Sequence, residues 1–125
     1  MKQVYHTDNA PAAIGPYSQA AGGSGLVFVS GQLPINPATG ELVSGSMAEQ
    51  TRQCMNNIKN ILAAAGCTLE DVVKTSIFLK DIGDFAEVNA AYAEFFPGEA
   101  PARACVQVAV LPKDGRIEIE AIAVK

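Results

Sequence analysis

This chain of 125 residues contains no tryptophan and one histidine, and charged side chains make up only 18% of it. Its formal net charge is −4, so it lacks the basic excess with which proteins hold nucleic acids. No apolar run approaches the roughly 18 residues of a membrane span, and the first residues lack the apolar core of a signal peptide. We therefore expect a cytoplasmic protein that binds neither nucleic acid nor a membrane.

Cysteine and histidine are also too few and too scattered for common metal or disulfide frameworks. Cys54, Cys67 and Cys105 are widely spaced and form no CxxC pair, and His6 has no companion for a zinc site. Cys54 falls on the apolar side of a predicted helix and Cys67 follows the end of that helix, so structural roles are expected for both. We expect a protein without a metal centre.

The length and composition favour one domain, residues 1–125, that hides part of its surface. Apolar residues make up 49% of the chain, which leaves little charge to cover a monomer. Small domains with so little polar cover often bury one face in an oligomer. Self-association is therefore expected.

Two amphipathic helices are predicted from apolar residues that recur at three- and four-residue steps. The first follows Ser46, with Glu49 three residues later as in a capping box, and ends before Gly66. The second begins at Asp84, with Glu87 three residues later, and its apolar side continues as far as Phe96.

Apolar runs bounded by turn residues predict the strands of a sheet. With the helices they give the order β-β-β-α-β-α-β-β, an α+β domain of two layers with both helices on one face of the sheet. The last run alternates strictly, which places Glu118 and Glu120 among large aliphatic residues on the face without helices. An open face of this kind favours an oligomer interface. The predicted strands are residues 17–21, 26–30, 32–35, 72–80, 103–111 and 117–124.

Arg103 and Glu118 are the polar residues with the least obvious structural purpose. Arg103 opens one apolar strand, Glu118 lies in the next, and we expect the two strands to be neighbours. A guanidinium group matches a carboxylate through two parallel hydrogen bonds, and a carboxyl group can activate water or transfer protons. Such a pair suits a small anionic substrate that is attacked by water. Glu120 competes with Glu118 for the second role.

Four motifs, in this order, carry a resemblance to the Rid (YjgF) family and to its reactive-intermediate deaminase A branch. They are Ala-Pro-Ala-Ala-Ile-Gly-Pro-Tyr-Ser-Gln at residues 10–19, Ser-Gly-Gln-Leu-Pro-Ile-Asn-Pro at 30–37, Pro-Ala-Arg with a following cysteine at 101–105, and Ile-Glu-Ile-Glu-Ala-Ile-Ala at 117–123. The resemblance spans residues 9–124. It implies a chorismate-mutase-like fold and a homotrimer, in which three sheets form a central barrel and ligand sites lie between subunits.

The resemblance also implies an activity, the hydrolysis of reactive enamines and imines such as 2-aminoacrylate and 2-iminobutyrate. The products are 2-keto acids and ammonia, and no cofactor is implied. Within this activity Arg103 would hold the substrate carboxylate, and the family match favours Glu118 over Glu120 for proton transfer.

Five further residues are candidates for the substrate site. Tyr17 would close over the ligand, although a half-buried strand aromatic is an equal alternative. Ser30 and Gly31 end a strand where the backbone can approach a ligand closely, and a turn cap is the alternative for Ser30. The resemblance gives Cys105 a role through its backbone and not its thiol, and Asn89 either reaches the cleft or makes a structural hydrogen bond.

Other functions remain open from the sequence. A trimer that binds 2-keto acids without turnover would use the same arginine. Ribonuclease activity is disfavoured by the net charge of −4 and by the single histidine, and no motif supports a holdase chaperone.

Overall fold

The computed structural model describes residues Met1–Lys125 and consists of a six-stranded mixed sheet with two helices on one face. The strands are β1 (Gln3–Tyr5), β2 (Ala20–Gly23), β3 (Leu26–Gln32), β4 (Ile35–Asn36), β5 (Glu41–Leu42), β6 (Val72–Leu79), β7 (Ala102–Gln107) and β8 (Ile117–Val124); the helices are α1 (Met47–Ala64) and α2 (Phe85–Ala93). The sheet has the strand order β1-β2-β3-β8-β6-β7, and only β6 and β7 are parallel. Strands β4 and β5 form a separate small hairpin.

The predicted α+β architecture is confirmed, and several strand bounds move. The strand expected at 17–21 begins only at Ala20, because residues 11–17 form a loop with a left-handed Gly15 (φ 121°). The strand expected at 103–111 ends at Gln107, ahead of a turn at residues 112–114. The structure adds β1 and β5, which are too short to give a periodic signal.

Helix α1 forms where its pattern predicts. The side chain of Ser46 accepts a hydrogen bond from the backbone N–H of Glu49 (3.1 Å), and Gly66 beyond its end is left-handed, with φ of 77°. One side of the helix is fully buried against the sheet and supplies Met55, Ile58, Ile61 and Leu62 to the core.

Helix α2 begins without the predicted cap. Asp84 makes no capping hydrogen bond, because its carboxylate binds Arg116 at 3.0 Å. The carboxylate of Glu87 instead accepts from the backbone N–H of Ala48, at the start of α1, at 3.0 Å. Helix α2 thus provides a capping carboxylate for the N-terminus of helix α1, and this hydrogen bond joins the two helices.

The sheet face opposite the helices has no cover within one chain. On β8 the row that begins with Ile117 is buried beneath the helices, whereas Glu118 and Glu120 point to the other face. Apolar side chains on that other face are half-exposed, among them Phe28 (49%) and Val106 (47%). Neither helix is long and apolar enough to cross a membrane.

Candidate active site

Arg103 lies on the edge strand β7 in a cradle that helix α2 provides. Its Nη1 donates to the side-chain oxygen of Asn89 at 2.7 Å. Its guanidinium carbon lies 5.1 Å from the ring centre of Tyr92 and 5.5 Å from that of Phe85, within the range of cation–π attraction. Positions 85, 89 and 92 share one side of a helix, so the spacing of α2 builds the cradle.

The aromatic floor of this cradle is itself fixed from below. The hydroxyl of Tyr92 lies 2.7 Å from that of Thr75, and both residues are buried. Thr75 is the partner of Arg103 in the pairing of β6 with β7. Burial raises the pKa of Tyr92, so its hydroxyl stays neutral. The guanidinium is thus held at its strand, between two aromatic rings and an amide.

Arg103 differs from the other two arginines because it has no carboxylate partner. Arg52 pairs with Glu94 at 2.9 Å, and Arg116 pairs with Asp84 at 3.0 Å. The guanidinium of Arg103 makes one hydrogen bond, to the neutral side-chain amide of Asn89. Arg103 also lines a cavity of about 400 Å³, together with Asn89, Tyr92, Ala93, Phe96, Ala100 and Pro101. An external carboxylate would complete this arrangement.

A second cavity, of about 750 Å³, contains most of the other candidates. Its walls come from residues 11–17, from the end of β3 and from the turn before β8. Tyr17, Ser30, Gly31, Glu118 and Glu120 all line it.

Glu118 has a raised pKa in this cavity. Burial raises the pKa of its half-buried carboxyl, and the negative charge of Glu120 raises it further. A carboxyl group whose pKa is raised in this way accepts a proton more readily than an exposed one. Glu120 is exposed on the same face.

The loop that carries Tyr17 is organised by Gln19, a residue to which sequence reasoning gave no role. The Gln19 side chain is buried, donates to the carbonyls of Thr7 (3.0 Å) and Pro11 (2.9 Å), and accepts from the N–H of Thr7 (2.7 Å). The hydroxyl of Tyr17 accepts from the N–H of Ile14 at 3.2 Å. A lone glutamine ahead of a strand gives no sequence signal of burial, so this support was missed.

Ser30 ties the same loop to β3. Its hydroxyl donates to the carbonyl of Ser18 at 2.6 Å, and its N–H donates to the carbonyl of Gln19 at 2.9 Å. The hydroxyl of Ser30 therefore holds the loop at the rim of the cavity.

Cys105 has the environment of a packed thiol. It is half-buried against the core, and burial raises its pKa, which disfavours the reactive thiolate. It lies two residues after Arg103 and therefore on the same side of β7.

Arg103 and Glu118 do not meet within one chain, and the expectation that their strands are neighbours is wrong. Strand β6 lies between β7 and β8. Arg103 pairs with Thr75, and Thr75 pairs with the buried Ala121, so this row faces the helices. Glu118 lies on the opposite face. Strand order depends on long-range pairing, which the alternation within each strand does not reveal.

Together these features define a class of protein, an α+β domain with one uncovered sheet face and cavities of a size that suits small molecules. One cavity is lined by the guanidinium of Arg103, which has no carboxylate partner, and the other by the carboxyl group of Glu118, whose pKa is raised. The chain belongs to the Endoribonuclease L-PSP family, whose sequence model matches residues 7–125. This is the family that includes the YjgF and Rid proteins.

Similar proteins carry more than one functional name. A RutC family protein from Pyrococcus horikoshii is 55% identical, over 100% of this chain and 99% of its own. A 2-iminobutanoate/2-iminopropanoate deaminase from Escherichia coli K12 is 52% identical over 100% and 99%. The crystal structure of the yjgF gene product from E. coli is 51% identical over 98% of both chains, with a TM-score of 0.94.

Proposed function

We propose that this protein is a 2-imino acid deaminase that hydrolyses 2-aminoacrylate and 2-iminobutyrate, after tautomerisation to the imine, to 2-keto acids and ammonia. The observation that carries the proposal is the cradled guanidinium of Arg103, which has no carboxylate partner in the chain and lines a cavity. The name of the 52%-identical E. coli relative supports the same reaction. A cytoplasmic location is part of the proposal.

The active site is proposed to form between the subunits of a homotrimer. Arg103 and Asn89 face the helix side at one edge of the sheet, whereas Glu118 and Tyr17 line a cavity on the opposite side. Two groups separated by a sheet do not contact one small substrate, which supports the proposal that the second half of the site comes from another copy. The half-exposed apolar residues of the open face supply a surface for that contact.

In this site Arg103 binds the substrate carboxylate and Glu118 handles protons. The iminium carbon is electrophilic without a cofactor, so positioning and one proton-transfer group suffice. Water adds to that carbon while the carboxylate of Glu118 takes its proton. Glu118 then gives this proton to the nitrogen of the tetrahedral intermediate. As the C–N bond breaks, the Glu118 carboxylate takes the hydroxyl proton, which passes to the departing ammonia. The iminium ion and one water thus become the ketone and an ammonium ion.

The remaining candidates shape the pocket. Tyr17 covers the ligand from the loop that Gln19 and Ser30 fix, and Asn89 acts on the substrate through Arg103. The backbone at Cys105 is proposed to contact the ligand or the water, and its protonated thiol takes no part in bond formation.

A coupled assay tests the proposal. A threonine or serine dehydratase generates the imine in place, and 2-keto acid formation is followed with and without this protein. We expect acceleration by the parent, a loss of about a hundredfold in Arg103→Ala and in Glu118→Gln, and no loss in Arg52→Ala. Arg52 is the matched control because it is also exposed but already pairs with Glu94. Acceleration by Arg103→Ala at the parental rate would refute the role of the arginine.

A second function remains compatible with the same arginine, namely the binding of 2-keto acids without turnover. Calorimetric titration with 2-ketobutyrate separates the two. The deaminase predicts that Glu118→Gln binds this product and has lost turnover, whereas a binding protein accelerates nothing in its parental form.

A further inference from the structure

Strand β3 contains an extra residue opposite β8, close to Glu118. Val29 pairs with Ala121 and Gln32 pairs with Ile119, so three steps along β3 match two steps along β8. Ser30 and Gly31 therefore stand together opposite one residue, which is the geometry of a β-bulge. Bulges are common beside active sites, where they redirect the backbone and the side chains that face it.

The absence of a side chain at Gly31 is what leaves room for the carboxyl group of Glu118. A β-carbon built on Gly31 would collide with Oε1 of Glu118, and it would lie 2.8 Å from the carboxyl carbon and 3.1 Å from Cγ. Gly31 does not have a positive φ, so its backbone conformation does not require glycine. The three atoms nearest to such a β-carbon all belong to Glu118, so this side chain is the first obstacle to a larger residue.

The bulge itself has little freedom to move away. The hydroxyl of Ser30 donates to Ser18 O (2.6 Å), and its N–H donates to Gln19 O (2.9 Å). The amide of Gln32 donates to the carbonyl of Ser30 at 3.2 Å. An added methyl group at position 31 would therefore displace the flexible end of Glu118, and not the backbone.

We propose that Gly31 is a positioning residue that sets the place of the Glu118 carboxyl group in the cavity. This goes beyond the expectation that Gly31 lets the backbone approach a ligand, and it rests on the proposed function. The bulge brings a bare stretch of backbone under the carboxyl group, which then lies half-buried against it. The flexible side chain of Glu118 thus takes a defined position because its neighbour, Gly31, has no side chain.

The test is Gly31→Ala, compared with Gly98→Ala as a matched control. A β-carbon at Gly98 meets nothing within 4 Å, and φ there is not positive. We expect Gly31→Ala to lower kcat by about tenfold to a hundredfold, because small misplacements of a reacting group have effects of this size. The Kd for 2-ketobutyrate should change less than about twofold, because Arg103 holds that ligand. Gly98→Ala should match the parent in both.

A direct readout that needs no turnover is the pKa of Glu118, followed by carboxyl-carbon NMR. Displacement into solvent should move this pKa from its raised value toward the ordinary one, since burial is the main cause of the shift. Glu120, Tyr17 and Lys113 are the other titratable groups that line this cavity. If the parent lacks deaminase activity but Gly31→Ala still shifts this pKa, the proposed function fails while the positioning role stands.

A second variant separates local displacement from misfolding. In a Glu118→Ala background the colliding side chain is gone, so Gly31→Ala should change neither kcat nor the midpoint of urea unfolding. Three results would overturn the proposal: an unchanged kcat and pKa in Gly31→Ala, a weaker Kd with kcat retained, or an equal destabilisation by Gly31→Ala with and without Glu118. The second of these would return Gly31 to the role of a ligand contact.

Discussion

Mixing two inactive variants tests whether each active site is divided between subunits. Arg103→Ala removes the proposed carboxylate-binding group, and Glu118→Gln removes the proposed proton-transfer group while keeping the shape of the side chain. In one chain these residues lie on opposite faces of the sheet, with β6 between their strands. If each site takes its arginine from one subunit and its glutamate from the next, a mixed trimer contains an intact site that neither homotrimer has.

The size of the effect follows from the geometry of a ring of three. Every trimer that contains both variants has one junction where an intact Arg103 meets an intact Glu118. In an equal mixture with random assembly, roughly one quarter of all junctions have this combination. The mixture should therefore recover about a quarter of the parental activity, against about one hundredth for each variant alone.

The assay is the dehydratase-coupled formation of 2-keto acid, after the two variants are unfolded in urea together and refolded. Variants refolded separately and then combined on ice provide the control, and light scattering establishes that the products are trimers. Co-refolding the double variant Arg103→Ala/Glu118→Gln with the parent calibrates random assembly. Activity that stays at the level of the separate variants would refute the shared site and require both residues to act from one chain.

Three other changes test individual contacts. Because the charge of Glu120 raises the pKa of Glu118, Glu120→Gln should lower that pKa and move the acid limb of the kcat profile to lower pH; an unmoved limb contradicts this. Gln19→Leu should lower the free energy of unfolding by about 1–2 kcal/mol in urea titrations and weaken turnover through the Tyr17 loop, since it leaves the part-buried backbone groups of Thr7 and Pro11 without these hydrogen bonds. Ser24→Asn should raise that free energy by about 0.5 kcal/mol, because φ of 52° at Ser24 suits asparagine in a two-residue hairpin; a loss of stability would contradict the assignment.

Local patterns predicted the parts of the fold whose physics is local. Helix α1 has a strong apolar period, a serine cap and a terminal glycine, and its predicted bounds agree with the structure. Strand β8 shows strict alternation, which correctly assigned Ile117 to the core and Glu118 to the open face. Both depend on neighbours within a few residues along the chain.

The cap of α2 shows where local patterns fail. Asp84 and Glu87 have the spacing of a capping pair, but each has a stronger partner far away in sequence. Asp84 meets the guanidinium of Arg116, and Glu87 meets the exposed N-terminus of α1 at Ala48. A carboxylate near a helix start binds the best donor that the tertiary structure brings to it, and sequence spacing does not contain that information.

The same limit explains why the sequence supplied candidate residues for the site but not their arrangement. The resemblance identified Arg103 and Glu118, and their side chains do carry the features that the chemistry needs: a guanidinium without an ion pair and a carboxyl with a raised pKa. Their relation depends on β7 pairing in parallel with β6 and not with β8. That pairing places Arg103 on the edge strand of the sheet, with its side chain on the face that carries the helices. If the two residues act on one substrate as proposed, the site is incomplete in one chain, and the uncovered apolar face beside Glu118 is the surface that we propose a second copy contacts to complete it.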